Sequence, residues 1–581
     1  MLTPQAEAPA TPDKPRANRR ERARTVGIVI GSGILACIAT WLFARLWPGP
    51  PVERAMLATL LLVPLWTGLA LAGVAGPRWA RRGHSRRSLF GLHRRLGAAL
   101  ALVAMVVFGS GVGAVLDRAL AGWQVPAASA ELRATPAPVS EQALDDALAT
   151  LLRDHPELSA GQLSLHPATA SEPWIRADFH DAERRHIRVD LDPATGEVIG
   201  VGEPPLWVLR ELHRSLLVSP QLGEPLLGII GLCLGLILLS GLATRRWVRT
   251  GARPRTRTQR PRAMVAHQWL GLALIPAATL WAWSGAMLGL TLVIVPLVGS
   301  GAYQGDRAAL MHDVLAVERV PLAAESGPLP DLQALAERRC PELDASLPDA
   351  GVHRLIVRHP GRASGAVRVD LEGAGLLGRG SLTVGADGEL RDCRALPSAG
   401  VGMLGFMGSI ALHYGEWGEW GESGDLVRAL VDLTYVILGA ALVALAWLGG
   451  SLLARRRIRD GDPRGAARLQ RWLTGVGLGL VLVTVELALL SRISDVARNA
   501  DSTLALVGVT CVVIAIHVST GDVLMRRRQL LIVIAATLVA LPVLGWVLTQ
   551  ARPGAIEGLA LLAAASISAS MRRSSTPPRA R

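Results

Sequence analysis

The sequence predicts a polytopic α-helical membrane protein of about ten spanning helices, with two small α+β domains on one side of the membrane. Three observations lead there. Apolar runs of 18 or more residues, nearly free of charge, recur along the 581 residues, and ~20 such residues cross a hydrocarbon core. Basic residues concentrate in the short loops between the runs, the bias that marks cytoplasmic loops. Two long polar stretches, 119–205 and 299–405, each read as a helix followed by alternating strands.

Composition narrows the partners. The net charge of +14, from 61 basic and 47 acidic residues, resides in those loops, so it marks orientation and no nucleic-acid partner is expected. The lipid bilayer is the expected partner. Several of the sixteen Trp, among them Trp41, Trp47, Trp79, Trp247 and Trp472, fall near run ends, as an interfacial belt requires. Cys37, Cys233 and Cys511 lie in apolar runs and read as packing residues. Cys340 and Cys393 share one polar segment outside the membrane, where an oxidising compartment makes a disulfide plausible.

In chain order, residues 1–25 are polar and basic and read as a disordered cytoplasmic tail. Residues 26–118 hold spanning helices 1–3; the first run is too long for the apolar core of a cleaved signal. The loop from Arg78 to Arg95 carries seven Arg and no acid, which places it on the cytoplasmic side. The first outer domain, 119–205, has a helix ending near Arg153 and strands at 174–179, 187–191 and 197–199. An interfacial helix from Leu206 to Leu217 follows. Pro220 and Pro225 are expected to break the chain before a spanning run at 226–244. Helix 5, 266–298, completes the 206–298 block. The second outer domain, 299–405, repeats the pattern with a helix near Asp331–Arg339 and strands at 354–358, 366–370 and 382–384. An interfacial segment and helix 6 occupy 406–454. Helices 7–10 fill 455–573, and 574–581 is a second cytoplasmic tail.

A motif is used twice. Leu92-His93-Arg94-Arg95-Leu96-Gly97 ends its run in Ser110-Gly111, and Ala266-His267-Gln268-Trp269-Leu270-Gly271 ends its run in Ser284-Gly285. Gly falls four residues after each His and again eighteen after, five whole helical turns, so Gly111 shares a face with His93 ~27 Å away, as Gly285 does with His267. Gly97 and Gly271, one turn from each His, leave a flat ligand uncrowded. His213 and His413 each stand shortly before a helix that returns inward. The unit is therefore inner-edge His, helix, outer domain, outer-edge His, helix.

Two readings of these four histidines stay open. They are interfacial residues on ordinary helices whose small residues serve packing. Or His93 with His267, and His213 with His413, grip a porphyrin between them, giving two six-coordinate b-type haems suited to electron transfer. With a ~30 Å core, haems at the two edges would lie ~20 Å apart. Arg94, Arg95 and Arg262 are placed to neutralise propionates. No CxxCH is present, which excludes covalent c-type haem, and no dinucleotide fingerprint appears, so the electron donor is separate. His180 and His186 flank a turn and are candidates to meet across a hairpin. Glu416 and Glu419, interleaved with Trp417 and Trp420, read as a polar interfacial turn. Glu486 and His517 are intramembrane ionisable groups at different depths.

These residues, with Leu212-His213-Arg214-Ser215-Leu216 and Leu412-His413-Tyr414-Gly415, resemble the PepSY-associated transmembrane family of bacterial inner-membrane proteins. That family includes iron-uptake membrane proteins and ferric-siderophore reductases. The resemblance covers about 80–455 and extends to the outer segments, which look like PepSY modules with turns at Asp192–Gly196 and Asp387-Gly388. It implies two haems b on His93, His267, His213 and His413. It also implies an inner-membrane location with both termini cytoplasmic, and electron delivery to a periplasmic ferric siderophore from a quinol or cytoplasmic reductant. The first two helices precede the usual family start. Two readings of other classes compete: a non-redox protein whose PepSY-like domains bind or regulate a periplasmic peptidase or peptide, and a proton-coupled transporter using Glu486 and His517.

Overall fold

The computed structural model describes residues 14–75, 82–120, 142–169, 172–181, 186–250, 262–315, 322–416 and 424–493, with isolated positions beyond. Helices α1 (Lys14–Leu46) and α2 (Pro51–Ala75) pack side by side, and α3 (Arg82–Ala119) begins the bundle proper. Helix α1 starts inside the segment expected to be a disordered tail, and α3 starts inside the expected basic loop. Among the described residues six helices are long and apolar enough to span a membrane, and a bent pair makes a seventh. Of the expected helices 7–10, one is seen here as α15 (Pro463–Ile493); those near 503–524, 529–548 and 554–571 lie outside the described residues apart from scattered positions.

The two outer segments do not fold apart. After α4 (Ala143–Asp154) come β1 (Gln162–His166), β2 (Ile175–His180), β3 (His186–Leu191) and β4 (Val198–Val201). The later segment supplies α11 (Leu332–Glu337), α12 (Pro341–Ser346), β5 (Gly351–Arg358), β6 (Ala366–Glu372), β7 (Arg379–Gly385) and β8 (Leu390–Ala395). All eight strands form one antiparallel sheet in the order β4-β3-β2-β1-β5-β6-β7-β8. The seam is β1 against β5, with Leu163 opposite Val357 and Leu165 opposite Leu355. Leu163 and Leu165 point to one face, where they join Ile175, Phe179, Val189, Val369 and Leu382 under α4, α11 and α12 in a single core. Side chains alternate along a strand, so the opposite face carries Arg176, Asp178, Arg188, Asp190, Arg368 and Asp370. It is charged yet largely covered: Asp190 is buried and bonded to Arg188 at 3.1 Å. The Asp331 carboxylate caps α11 by accepting from the Ala334 amide at 2.8 Å. Cys340, at the start of α12, forms a disulfide with Cys393 of β8.

Between the sheet halves run α5 (Trp207–Ser215), α6 (Pro220–Thr250), α7 (Arg262–Ala273), α8 (Ile275–Gly289), α9 (Thr291–Ala302) and α10 (Arg307–Leu315). After the sheet come α13 (Val401–Tyr414), α14 (Gly424–Arg459) and α15. Helix α6 begins at Pro220 and continues through Pro225, so the expected break is absent. Pro220 stands at the first helical position, where the amide lacks an intrahelical partner anyway; Pro225, in the second turn, lies inside the helix without ending it. The expected single helix 5 is three pieces, with a 65° bend between α7 and α8. Pro276, in the first turn of α8, lacks an amide and its ring clashes with the carbonyl four residues back, which ends α7. Helix α3 packs against α6 and α14, α6 against α8, and α14 against α7.

Candidate functional site

Helix α3 is uninterrupted, so its Gly111 does share a face with His93. Helix α7 ends before Gly285 is reached, so the five-turn relation fails for His267. The four histidines nonetheless meet in two couples. His93 of α3 and His267 of α7 have ring centres 6.3 Å apart with planes at 65°. His213 of α5 and His413 of α13 have ring centres 6.1 Å apart with planes at 28°. The second couple is the sheet-proximal one, since α3 runs from His93 toward the sheet.

Each ring lies against a glycine of another helix. A Cβ on Gly241 would stand 3.1 Å from His93 Cε1, and one on Gly449 would stand 3.3 Å from His267 Cε1. Gly111 and Gly285 play the same part for His213 and His413, at 3.0 and 3.2 Å. Thus Gly111 and Gly285 belong to the site, as neighbours of the sheet-proximal rings. Gly97 has open space around its Cβ position and Gly271 meets only Leu445, so neither lies against an imidazole. Gly241 and Gly449 escaped the sequence reading. The signal was there for one of them, because Ser240-Gly241 copies the Ser-Gly pairs at 110–111 and 284–285.

The same register orients the rings. Nδ1 of His93 is 2.9 Å from the Ile237 carbonyl, four residues before Gly241, and Nδ1 of His213 is 2.9 Å from the Val107 carbonyl, four before Gly111. His267 Nδ1 faces the backbone of Leu445, four before Gly449, without a hydrogen bond of ordinary geometry among the described residues. His413 departs from the rule: its Nδ1 pairs with the Ser284 hydroxyl at 2.8 Å. Where a carbonyl accepts, Nδ1 carries the proton and Nε2 is the nitrogen left to bind a metal. An iron on both Nε2 atoms needs ring centres ~6 Å apart, from ~2.0 Å per metal–imidazole bond and about 1 Å from nitrogen to ring centre. Both couples have that spacing, and the glycines leave the rings room to hold it. The residues present fit two bis-histidine haems.

His213 sits on a nine-residue helix that ends in a strained reversal. Leu216 and Leu217 have φ of 57° and 58°, left-handed values that cost energy for any residue with a Cβ. Beyond them Gly223 packs so closely on Ser215 that a Cβ would overlap its carbonyl oxygen. The interior between the two couples is apolar: Phe108, Leu238, Leu438 and Trp281 pack against a buried cluster of Leu274, Ala278 and Leu442.

Above the sheet-proximal couple each half of the charged sheet face carries its own network. His186 Nδ1 bonds Glu203 at 3.1 Å, and Glu203 bonds Arg210 of α5 at 3.0 Å. On the other half His353 bonds Glu372 at 3.2 Å, and Arg379 bonds Glu416 at 2.6 Å. Glu416 is therefore tied to the sheet; Trp417, Glu419 and Trp420 lie outside the described residues. Burial pushes the Glu203 carboxyl up, but the His186 bond and the Arg210 and Arg188 charges hold it at about 2. The Glu203 bond in turn raises the His186 imidazole, against burial. His180 and His186 do face each other across the hairpin, with rings 5.6 Å apart. Donor atoms of Asp178, His186 and Glu203 come within 4.8 Å of one another. Arg176 and Arg210 already neutralise the two carboxylates, so this is a charge network and not a cation site. Glu486 bonds the Thr510 hydroxyl at 3.0 Å, and His517 lies outside the described residues.

Residues 90–456 match the family model described as PepSY-associated TM region. Comparison with curated proteins returns no match. The matched stretch contains all four histidines, their four glycines and the whole eight-stranded sheet.

Proposed function

The chain belongs to the PepSY-associated transmembrane family, and from that premise we propose that it is an inner-membrane di-haem b electron-transfer protein that reduces ferric siderophores in the periplasm. Membership and the apolar helices make it a multi-pass membrane protein; the redox activity is the reading its histidines support best. The observation that carries it is the repeated couple: two imidazoles ~6 Å apart, twice, at levels separated along α3.

Bound haem would supply at each couple a six-coordinate iron that passes one electron at a time without an open position for oxygen. The chain's residues do the rest. His93, His267, His213 and His413 offer Nε2. The carbonyls of Ile237 and Val107 and the Ser284 hydroxyl fix three of the rings. Gly241, Gly449, Gly111 and Gly285 admit them. From His93 to Val107 is fourteen residues of one helix, ~21 Å of rise, and Phe108, Leu238 and Trp281 keep that interval dry. With haem bound, the His93–His267 couple would be the one to accept electrons from a quinol or cytoplasmic reductant, and the His213–His413 couple, beside the sheet, the one to deliver them. A ferric ion held by hard oxygen donors takes one electron there, and the chelator's grip on the resulting Fe(II) is weak.

The test is anaerobic stopped-flow mixing of dithionite-reduced, full-length protein with a ferric hydroxamate chelate, with an Fe(II)-specific chromogenic ligand present. The proposal requires a b-type spectrum that reoxidises as Fe(II) appears. A colourless folded protein, or a reduced spectrum indifferent to the chelate, would sink it.

A further inference from the structure

Short helices carry the sheet-proximal histidines, and short helices do not hold their own position. The last turn of α3 grips both. Its Asp117 carboxylate accepts from Arg210 of α5 at 2.9 Å, and Arg210 lies one turn before His213. The next residue, Arg118, donates to the Tyr414 carbonyl of α13 at 2.6 Å and pairs with Asp432 of α14; Tyr414 follows His413 directly. Successive helical residues point ~100° apart, so this one dipeptide reaches a different carrier helix with each side chain. Both carboxylates are nearly dry, with side-chain exposures of 7% for Asp117 and 8% for Asp432. A charged hydrogen bond is strong in such surroundings. The grip also stands on the helix whose Gly111 touches the His213 ring.

We propose that Asp117 and Arg118 are positioning residues: they set the spacing and the 28° ring angle of the His213–His413 couple by clamping α5 and α13 to the end of α3. The sheet closes the clamp from outside, through Glu203 on Arg210 and Arg379 on Glu416, three residues after His413. A load on the sheet is thereby transmitted to both carriers. The effect on a haem rests on the function proposed above; the clamping of the helices does not.

Three full-length variants test this: Asp117→Asn, Arg118→Gln and Arg118→Lys. Lysine keeps the charge but has no planar fork to hold the Tyr414 carbonyl and Asp432 together, so it separates geometry from charge and guards against a misfolded Gln variant. One readout is amide hydrogen exchange, which needs no haem. Asp117→Asn speeds exchange in 207–217 and both Arg118 variants speed it in 407–416, each about tenfold, the loss expected for one charge-assisted hydrogen bond. The segment around His267 stays unchanged. The second readout is the low-spin EPR spectrum, where only the sheet-proximal component shifts its g-values. Accelerated exchange in a protein without haem sustains the clamp and defeats the redox reading. Unchanged exchange, or a haem-loaded variant whose proximal signal matches wild type, overturns the clamp.

Discussion

The two histidine couples repeat one local design in different mechanical settings. His93 and His267 stand on α3 and α7 and rest against α6 and α14, so the sheet-distal couple is held within the bundle. His213 and His413 stand on α5, which follows the first half of the sheet in the chain, and α13, which follows the second. They depend on α3, on Ser284 and on the sheet. The ring planes differ accordingly, 65° in the distal couple and 28° in the proximal one. A couple fixed by the bundle suits a site whose properties stay constant. One fixed partly by an outer sheet is exposed to whatever the sheet binds.

The sharpest way to press on this difference is at the glycines. Gly111→Ala places a methyl 3.0 Å from His213 Cε1, and relieving such overpacking costs ~1–3 kcal/mol. Thermal melting and haem retention should both fall, with the loss confined to the proximal couple. Gly97→Ala has open space and gains ~0.5–1 kcal/mol in helix preference, so its melting temperature should hold or rise. If the two variants behave alike, contact with an imidazole is not what these glycines are for.

Ser284→Ala is a smaller perturbation. It removes the hydroxyl hydrogen-bonded to His413 Nδ1, the one side-chain hydrogen bond to these four rings among the described residues. The loss is about 1 kcal/mol. In a spectroelectrochemical titration only the proximal midpoint should move; a shift in both would mean that the couples are not independently held.

The least effect is expected from pH, through the sheet. His186 is raised by its bond to Glu203, so its contribution is complete below pH ~6.5 and is lost as pH rises through the higher folded value. Glu203 is depressed to about 2, so its contribution is complete above pH ~4.5 and fades as pH falls toward that value. The pair therefore helps most between these limits. His186 is partly exposed and faces Asp178 as well as Glu203, which keeps the effect to a fraction of a kcal/mol. The difference in melting temperature between wild type and His186→Gln should be larger at pH 6 than at pH 9. A constant difference would remove the pair from the account.

Much of this was legible in the chain because it follows from local period. Runs of apolar residues located the spans seen among the described residues, and the repeated Ser-Gly pairs marked Gly111 and Gly285, although the shared helical face holds only for Gly111. Where contacts join distant segments the reading stopped. His93 meets Gly241 and His267 meets Gly449 across helices that no local period connects. Strand β1, Gln162–His166, offers only Leu163 and Leu165 as apolar positions, and its pairing with β5 is what merges two expected domains into one sheet. Pro276 signalled the bend between α7 and α8, but the apolar run around it hid the break. Arg118 and Asp117 looked like an ordinary polar helix end, since their partners lie on α13, α14 and α5.

The measurement that bears most directly on the central claim is haem content per chain, by pyridine haemochrome, in purified wild-type protein and in the His93→Ala and His213→Ala variants. The account predicts two haems b in the wild type and one in each variant, with the low-spin EPR component of the surviving couple retained. A folded wild type without haem would contradict it, as would variants that both keep two.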